Sequence, residues 1–377
     1  GVEVNTDTTA ALTALNDVQG GNTNAGTTLD VVAGNDIDGL TAMGGDAVTA
    51  TADQSVTNAS FTSTGSTATV TATNVDVSNT DVVANLLATV TAGEDVIGSS
   101  VTSETDDVEV TAQSGTISAT DASADAGTVD LLAGIDIVDG SVDAGDTATL
   151  TATTGEINGT SVQSDAAALL SAALDIAGVS VDAASATLSA GEDVVDGSVS
   201  VVGAADIDAA ADIAGLAVDS DTATLDATNI VGVEVNTDTT AALTALNDVQ
   251  GGNANAGTTL DVVAGNDIDG PDVTAVERVT LHAQTGSILN TNATSTAADV
   301  DLDAGTDIVA TDANAETFVD GVAGNSIIGG SFTANAENVT LLAETGDIDG
   351  SQVNAATFAD LQAQMDIDGA VVDAGTL

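Results

Sequence analysis

GTTLDVVAGNDIDG, residues 26–39, contains a short phrase that returns along the whole chain: an apolar residue, Ala-Gly, then an acid followed by Ile or Val. It reappears as VTAGEDVIG (90–98), VDLLAGIDIVDG (129–140), TLSAGEDVVDG (187–197), DLDAGTDIV (301–309) and, degenerate, ADLQAQMDIDG (359–369). Taking the β-branched residue after the acidic position as an anchor gives Val18, Ile37, Val56, Val75, Val96, Ile117, Ile137, Ile157, Ile176, Val194, Ile213, Ile230, Val249, Ile268, Ile288, Ile308, Ile327, Ile348 and Ile367. These nineteen anchors lie 17 to 21 residues apart, most often 19. A period of this length, without a helical heptad or Gly-X-Y, signals stacked repeats in which each coil buries its apolar residues against the next.

Flanking segments fill in the coil. TATVTATNVDV (67–77), DTATLTATTGEI (146–157) and ENVTLLAETGDI (337–348) roughly alternate Thr with Val, Leu or Ala, the period-2 pattern of a half-buried strand. Gly, Asn, Asp and Ser punctuate them with turn chemistry. DAAALLSAALDIAG (165–178) has helix propensity from Ala and Leu, but Ile176 keeps phase with Ile157 and Val194, so it is assigned to a coil like the rest. About 3.3 Å per strand residue lets nineteen residues close one turn of three short strands, and stacking at about 4.8 Å makes nineteen coils a rod of roughly 90 Å. The expected fold is all-β: a right-handed parallel β-helix with a Val/Ile/Leu/Ala core. With no Trp or Tyr, that core reads as too thin for large rings.

Composition narrows the partners. Fifty-nine Asp and Glu stand against one basic residue, Arg278, for a formal net charge of -58. Nucleic acid and anionic membrane surfaces need basic patches and are excluded as electrostatic partners. Charge of this size with few aromatics also fits disorder. Disordered acidic tails, however, do not hold aliphatic residues in phase through nineteen cycles. No run of eighteen apolar residues is available to span a membrane, and the absence of Cys leaves the redox compartment open.

A longer repeat overlies the first. Residues 1–39 return at 232–270 with a single difference, Thr23 against Ala254. A block this well copied indicates growth by duplication, so length itself is the selected property. Residues 1–377 read as one continuous solenoid whose ends fall inside the repeat, which predicts a fragment of a longer fibre. The one Pro, Pro271, follows Gly270 at a coil corner, where a missing donor matters least.

The pattern in LLAGIDIVDG (131–140) and LSAGEDVVDG (188–197) resembles the repeats of filamentous haemagglutinin-like large exoproteins of Gram-negative bacteria. The resemblance covers essentially the whole chain. It implies a right-handed β-helical shaft, secretion by a two-partner or autotransporter route, and adhesion or surface display. The chain departs from those proteins in having almost no basic residues.

Candidate sites follow from the acids. Thirteen of the nineteen residues before the anchors are Asp or Glu. Carboxylates stacked about 5 Å apart repel by roughly 1 kcal/mol per pair in water. Salt, raised carboxylate pKa values and bridging Ca2+ or Mg2+ are the available remedies, although no cofactor is required by any motif. The metal candidates are Asp299, Asp301 and Asp303 on one strand face of DVDLDAGTD, and the pairs Asp267 with Asp269 and Asp366 with Asp368. A solvated acidic face is the simpler reading of all of them. An EF-hand is absent, since Gly305 falls seventh rather than sixth in the candidate loop. Arg278 and His282 can share a strand face, but one His without a second imidazole or a poised nucleophile makes no catalytic centre.

The function expected is therefore non-enzymatic: an extracellular fibre or adhesin shaft, self-associating or continuing end to end, with host or cell-surface glycans as possible adhesion targets. One alternative is a polysaccharide-acting β-helix enzyme, which near-uniform coils without long insertions argue against. Another is a calcium-dependent or ice-binding solenoid. Thr-rich TATVTAT and TATLTATT raise the ice-binding reading, although Thr is not kept coil after coil.

Overall fold

In the computed structural model, which describes residues 2–375, the alternating segments are strands, and no helix occurs among the described residues. The chain is a parallel β-solenoid of about 20 turns of roughly 19 residues. It divides into two compact units, Gly1–Gly191 and Glu192–Leu377. In the first, strands Val48–Ala52, Ala68–Ala72, Ala88–Ala92 and Val108–Ala112 stack in parallel and in register, so that Ala50, Val70, Val90 and Val110 form one inward column. Ala52, Ala72, Ala92 and Ala112 form another. The second unit repeats this with Val262, Leu281 and Leu302 beside Ala264, Ala283 and Ala304. The ambiguous segment 165–178 is strand at Ala167–Ala172 and Ile176–Ala183; parallel pairing overrides the helix propensity of its Ala and Leu.

Apart from Ile367, which is 49% exposed, the β-branched residues that stack at the anchor position are fully or almost fully buried, with Ile37, Val56, Val96 and Ile137 at 0% exposure. One expected anchor is displaced. Val77, not Val75, stacks between Val56 and Val96. The reason lies two residues further on. That position has a left-handed backbone in every coil from Gly20 to Gly369, and is occupied elsewhere by Gly, Asn, Asp or Ala. An anchor at Val75 would put β-branched Val77 there, which is sterically costly; an anchor at Val77 puts Asn79 there, with φ of 47°.

The expected exclusion of large rings also fails. Phe61 and Phe332 are fully buried. Each sits directly over an alanine, Ala42 under Phe61 and Ala313 under Phe332, so the ring takes up space that a small residue leaves free.

The Gly of the Ala-Gly pair has a different purpose. A Cβ built on Gly34 would lie 2.2 Å from the carbonyl oxygen of Leu15 in the coil below, so only Gly lets these turns stack at strand spacing.

Candidate functional site: the acidic ladder and the Arg278–His282 face

Just before each anchor the chain leaves a turn, and the backbone N–H there has lost its regular strand partner. The preceding coil supplies one from a side chain. Asp36 Oδ1 accepts the Ser55 N–H at 3.0 Å, Asp95 accepts Thr116 at 2.7 Å, and Asp136 accepts Glu156 at 2.9 Å. Within the second unit Asp193 accepts Asp212 at 2.8 Å, Asp248 accepts Asp267 at 3.0 Å, and Asp267 accepts Ser287 at 2.7 Å. Asp307 accepts Ser326 at 2.9 Å and Asp347 accepts Asp366 at 2.8 Å. Asn229, Ser287 and Ser326 serve the same position with neutral oxygens, at 3.4, 3.4 and 3.2 Å. The acidic column is thus a hydrogen-bond ladder that satisfies half-buried corner donors. A carboxylate suits this because it accepts more strongly than a neutral group.

Sequence reading placed these acids but missed that role, and the misplaced anchor also hid one rung. With Val77 as anchor the preceding residue is Asp76, which accepts the Asp95 N–H at 3.0 Å. The acids before the anchors then number fourteen of nineteen, Asp76 included.

The metal candidates fall in three places. Asp267 and Asp269 flank the buried anchor Ile268 and point outward to separate partners, Asp267 to the Ser287 N–H and Asp269 to Asn290 Nδ2 at 2.9 Å. Asp366 and Asp368, with Asp347 and Asp349 of the coil below, line a shallow groove on the outer face. Asp299, Asp301 and Asp303 do share the outer face of strand Asp299–Ala304. Among the described residues no group of three or more His, Cys, Asp or Glu is disposed to hold a metal ion.

What lies against Asp299, Asp301 and Asp303 is the chain's entire stock of side-chain bases. Strand Arg278–Ala283 pairs beneath in register, putting Arg278 under Asp299 and His282 under Asp303. Arg278 reaches Asp299 at 3.3 Å and Asp301 at 3.7 Å, and His282 Nδ1 lies 3.0 Å from Asp303. Thr317 Oγ1 donates to Asp299 from above. Asp320, stacked directly on Asp301, has no such base. Burial pushes the Asp320 carboxyl above the ordinary range, and the charges of Asp301 and Asp303 add to the rise. Asp301 is also raised, by burial first; Arg278 opposes the shift and Asp299 adds to it. Asp38 goes the other way, held low by hydrogen bonds from Asn58 and then Thr57. Asp320 was not singled out from the sequence, where nothing marks it among so many acids. Only the register brings it onto Asp301.

Chemically, this face balances charge. It presents shallow grooves, such as the one lined by Thr280, His282, Asp301, Asp303 and Asp320, in which the acids are paired with bases or with one another. Compared with protein-family models, with curated proteins and with solved structures, the chain matches none. What places it is its architecture, that of a β-helix repeat protein.

Proposed function

We propose that this chain is a structural element, the shaft of an extracellular fibre or surface adhesin of the filamentous haemagglutinin-like kind. The observation that carries the reading is that, within each unit, one coil serves as the template for the next. Aliphatic columns stack inside while carboxylates of one coil complete the backbone of the coil above. Such a stack gains stability by adding neighbours. High negative charge would keep neighbouring fibres apart and soluble. The lack of Lys, with the one Arg engaged by Asp299 and Asp301, would suit an exposed fibre facing trypsin-like proteases. The ladder needs no divalent cation in this reading. Antibody raised against the chain and applied to intact source cells tests it. Surface labelling of filaments is expected, and labelling confined to permeabilised cells would contradict it.

A further inference from the structure

One outer face is unlike the rest of this acidic molecule. Strands Val48–Ala52, Ala68–Ala72 and Ala88–Ala92 each present a Thr-x-Thr pair outward, Thr49 and Thr51, Thr69 and Thr71, Thr89 and Thr91. Their register is direct, Thr49 to Thr69 to Thr89 and Thr51 to Thr71 to Thr91, and Thr111 of Val108–Ala112 extends the second column. Thr is not kept through the whole chain, but over this stretch it is kept from coil to coil. Asp30 below Thr49 and Glu109 above Thr89 bound the array, and no charge lies within it.

None of these seven hydroxyls bonds to another described residue. Other threonines on the molecule do so: Thr73 donates to the Ala52 carbonyl at 3.1 Å and Thr64 to Gly45 at 3.4 Å. The array thus offers free hydroxyls at two fixed repeats, about 6.7 Å along each strand and about 4.8 Å between coils. Each hydroxyl is paired with a γ-methyl, and β-branching limits the rotamers, so little ordering entropy remains to be lost on binding.

We propose that this face binds ice. An uncharged lattice of hydroxyl and methyl groups in direct register, with repeats close to those of oxygen atoms on ice planes, complements a crystal surface of water. It does not complement a charged ligand. The individual contacts are weak, and affinity arises from engaging them together. This activity is additional to the shaft role and does not depend on it.

The test is thermal hysteresis and crystal shape in a nanolitre osmometer, using the full 377-residue chain. A freezing-point gap with faceted crystals is expected. The double variant Thr71→Lys/Thr91→Lys should abolish both. Thr149→Lys, in a Thr-x-Thr pair outside the array, should leave both unchanged. If the lysine pair fails to fold, as judged by circular dichroism, Thr71→Val/Thr91→Val keeps shape and methyl groups and should reduce the gap. Absence of hysteresis in the parent chain, full hysteresis in the folded array variants, or equal loss in Thr149→Lys would overturn the proposal. Binding to a crystalline polysaccharide with no effect on ice would overturn it as well.

Discussion

Replacing Asp267 separates the two roles a stacked carboxylate can have, as a hydrogen-bond acceptor and as a source of repulsion. Its Oδ1 takes the Ser287 N–H at 2.7 Å, and its own N–H is held by Asp248 at 3.0 Å. Asp267→Ala leaves the Ser287 donor unpaired at a half-buried corner, a loss of about 1.5–3 kcal/mol for a bond to a charged group. It also removes repulsion from Asp248 one coil below, about 1 kcal/mol in water and less in salt. The net expectation is destabilisation by about 0.5–2 kcal/mol. Asp267→Asn keeps a carbonyl acceptor, giving up about 1 kcal/mol of bond strength while gaining a similar amount from lost repulsion, so it should lie within about 0.5 kcal/mol of the parent. Urea unfolding at low and moderate salt measures both. If Ala and Asn variants shift stability equally, or if Ala stabilises, the carboxylate is not serving the next coil and the ladder argument is wrong.

Three other substitutions probe separate parts of the fold. Thr23 and Ala254 occupy the same inward position in the duplicated block, and Thr23 Oγ1 is buried without a partner; Thr23→Ala should stabilise by about 1 kcal/mol, the relieved hydroxyl exceeding the lost methyl, as thermal melting would show. Ala119 and Ala310 hold the left-handed corner at φ of 46° and 51°. Glycine at either should gain about 0.5–1 kcal/mol, since about 1–2 kcal/mol of strain is released against added unfolded-state entropy; no gain in urea midpoint would contradict the corner assignment. Because the Asp320 carboxyl is raised in the folded state, its contribution is fully present below the unfolded pKa of about 3.9 and is lost as pH rises through the folded value. Asp320→Asn should therefore be more stable than the parent at neutral pH, with the advantage closing toward acid pH in a melting series.

Much of this was legible because the solenoid writes each coil in the same order. An inward aliphatic must recur once per turn, so Ile37, Ile137 and Ile268 declare themselves, and the parallel stack follows from their spacing. The slip at Val75 was avoidable: the left-handed requirement two residues past the anchor points to Asn79 and so to Val77. What the sequence does not carry is register across coils whose lengths vary. Whether Arg278 lies beneath Asp299, Asp320 above Asp301, or Thr69 between Thr49 and Thr89 depends on how each turn absorbs its extra residues. The ladder was hidden for a related reason. An acid every nineteen residues looks like a surface column until the corner N–H groups, deprived of strand partners, are counted.

Amide hydrogen exchange at the ladder corners tests most directly whether these carboxylates complete the backbone of successive coils. The Ser55, Thr116, Glu156, Ser287 and Ser326 N–H groups, each held by an Asp of the coil below, should exchange slowly and at the same rate with or without a calcium chelator. Rapid exchange at these corners in the intact chain, or protection that appears only when calcium is added, would contradict it.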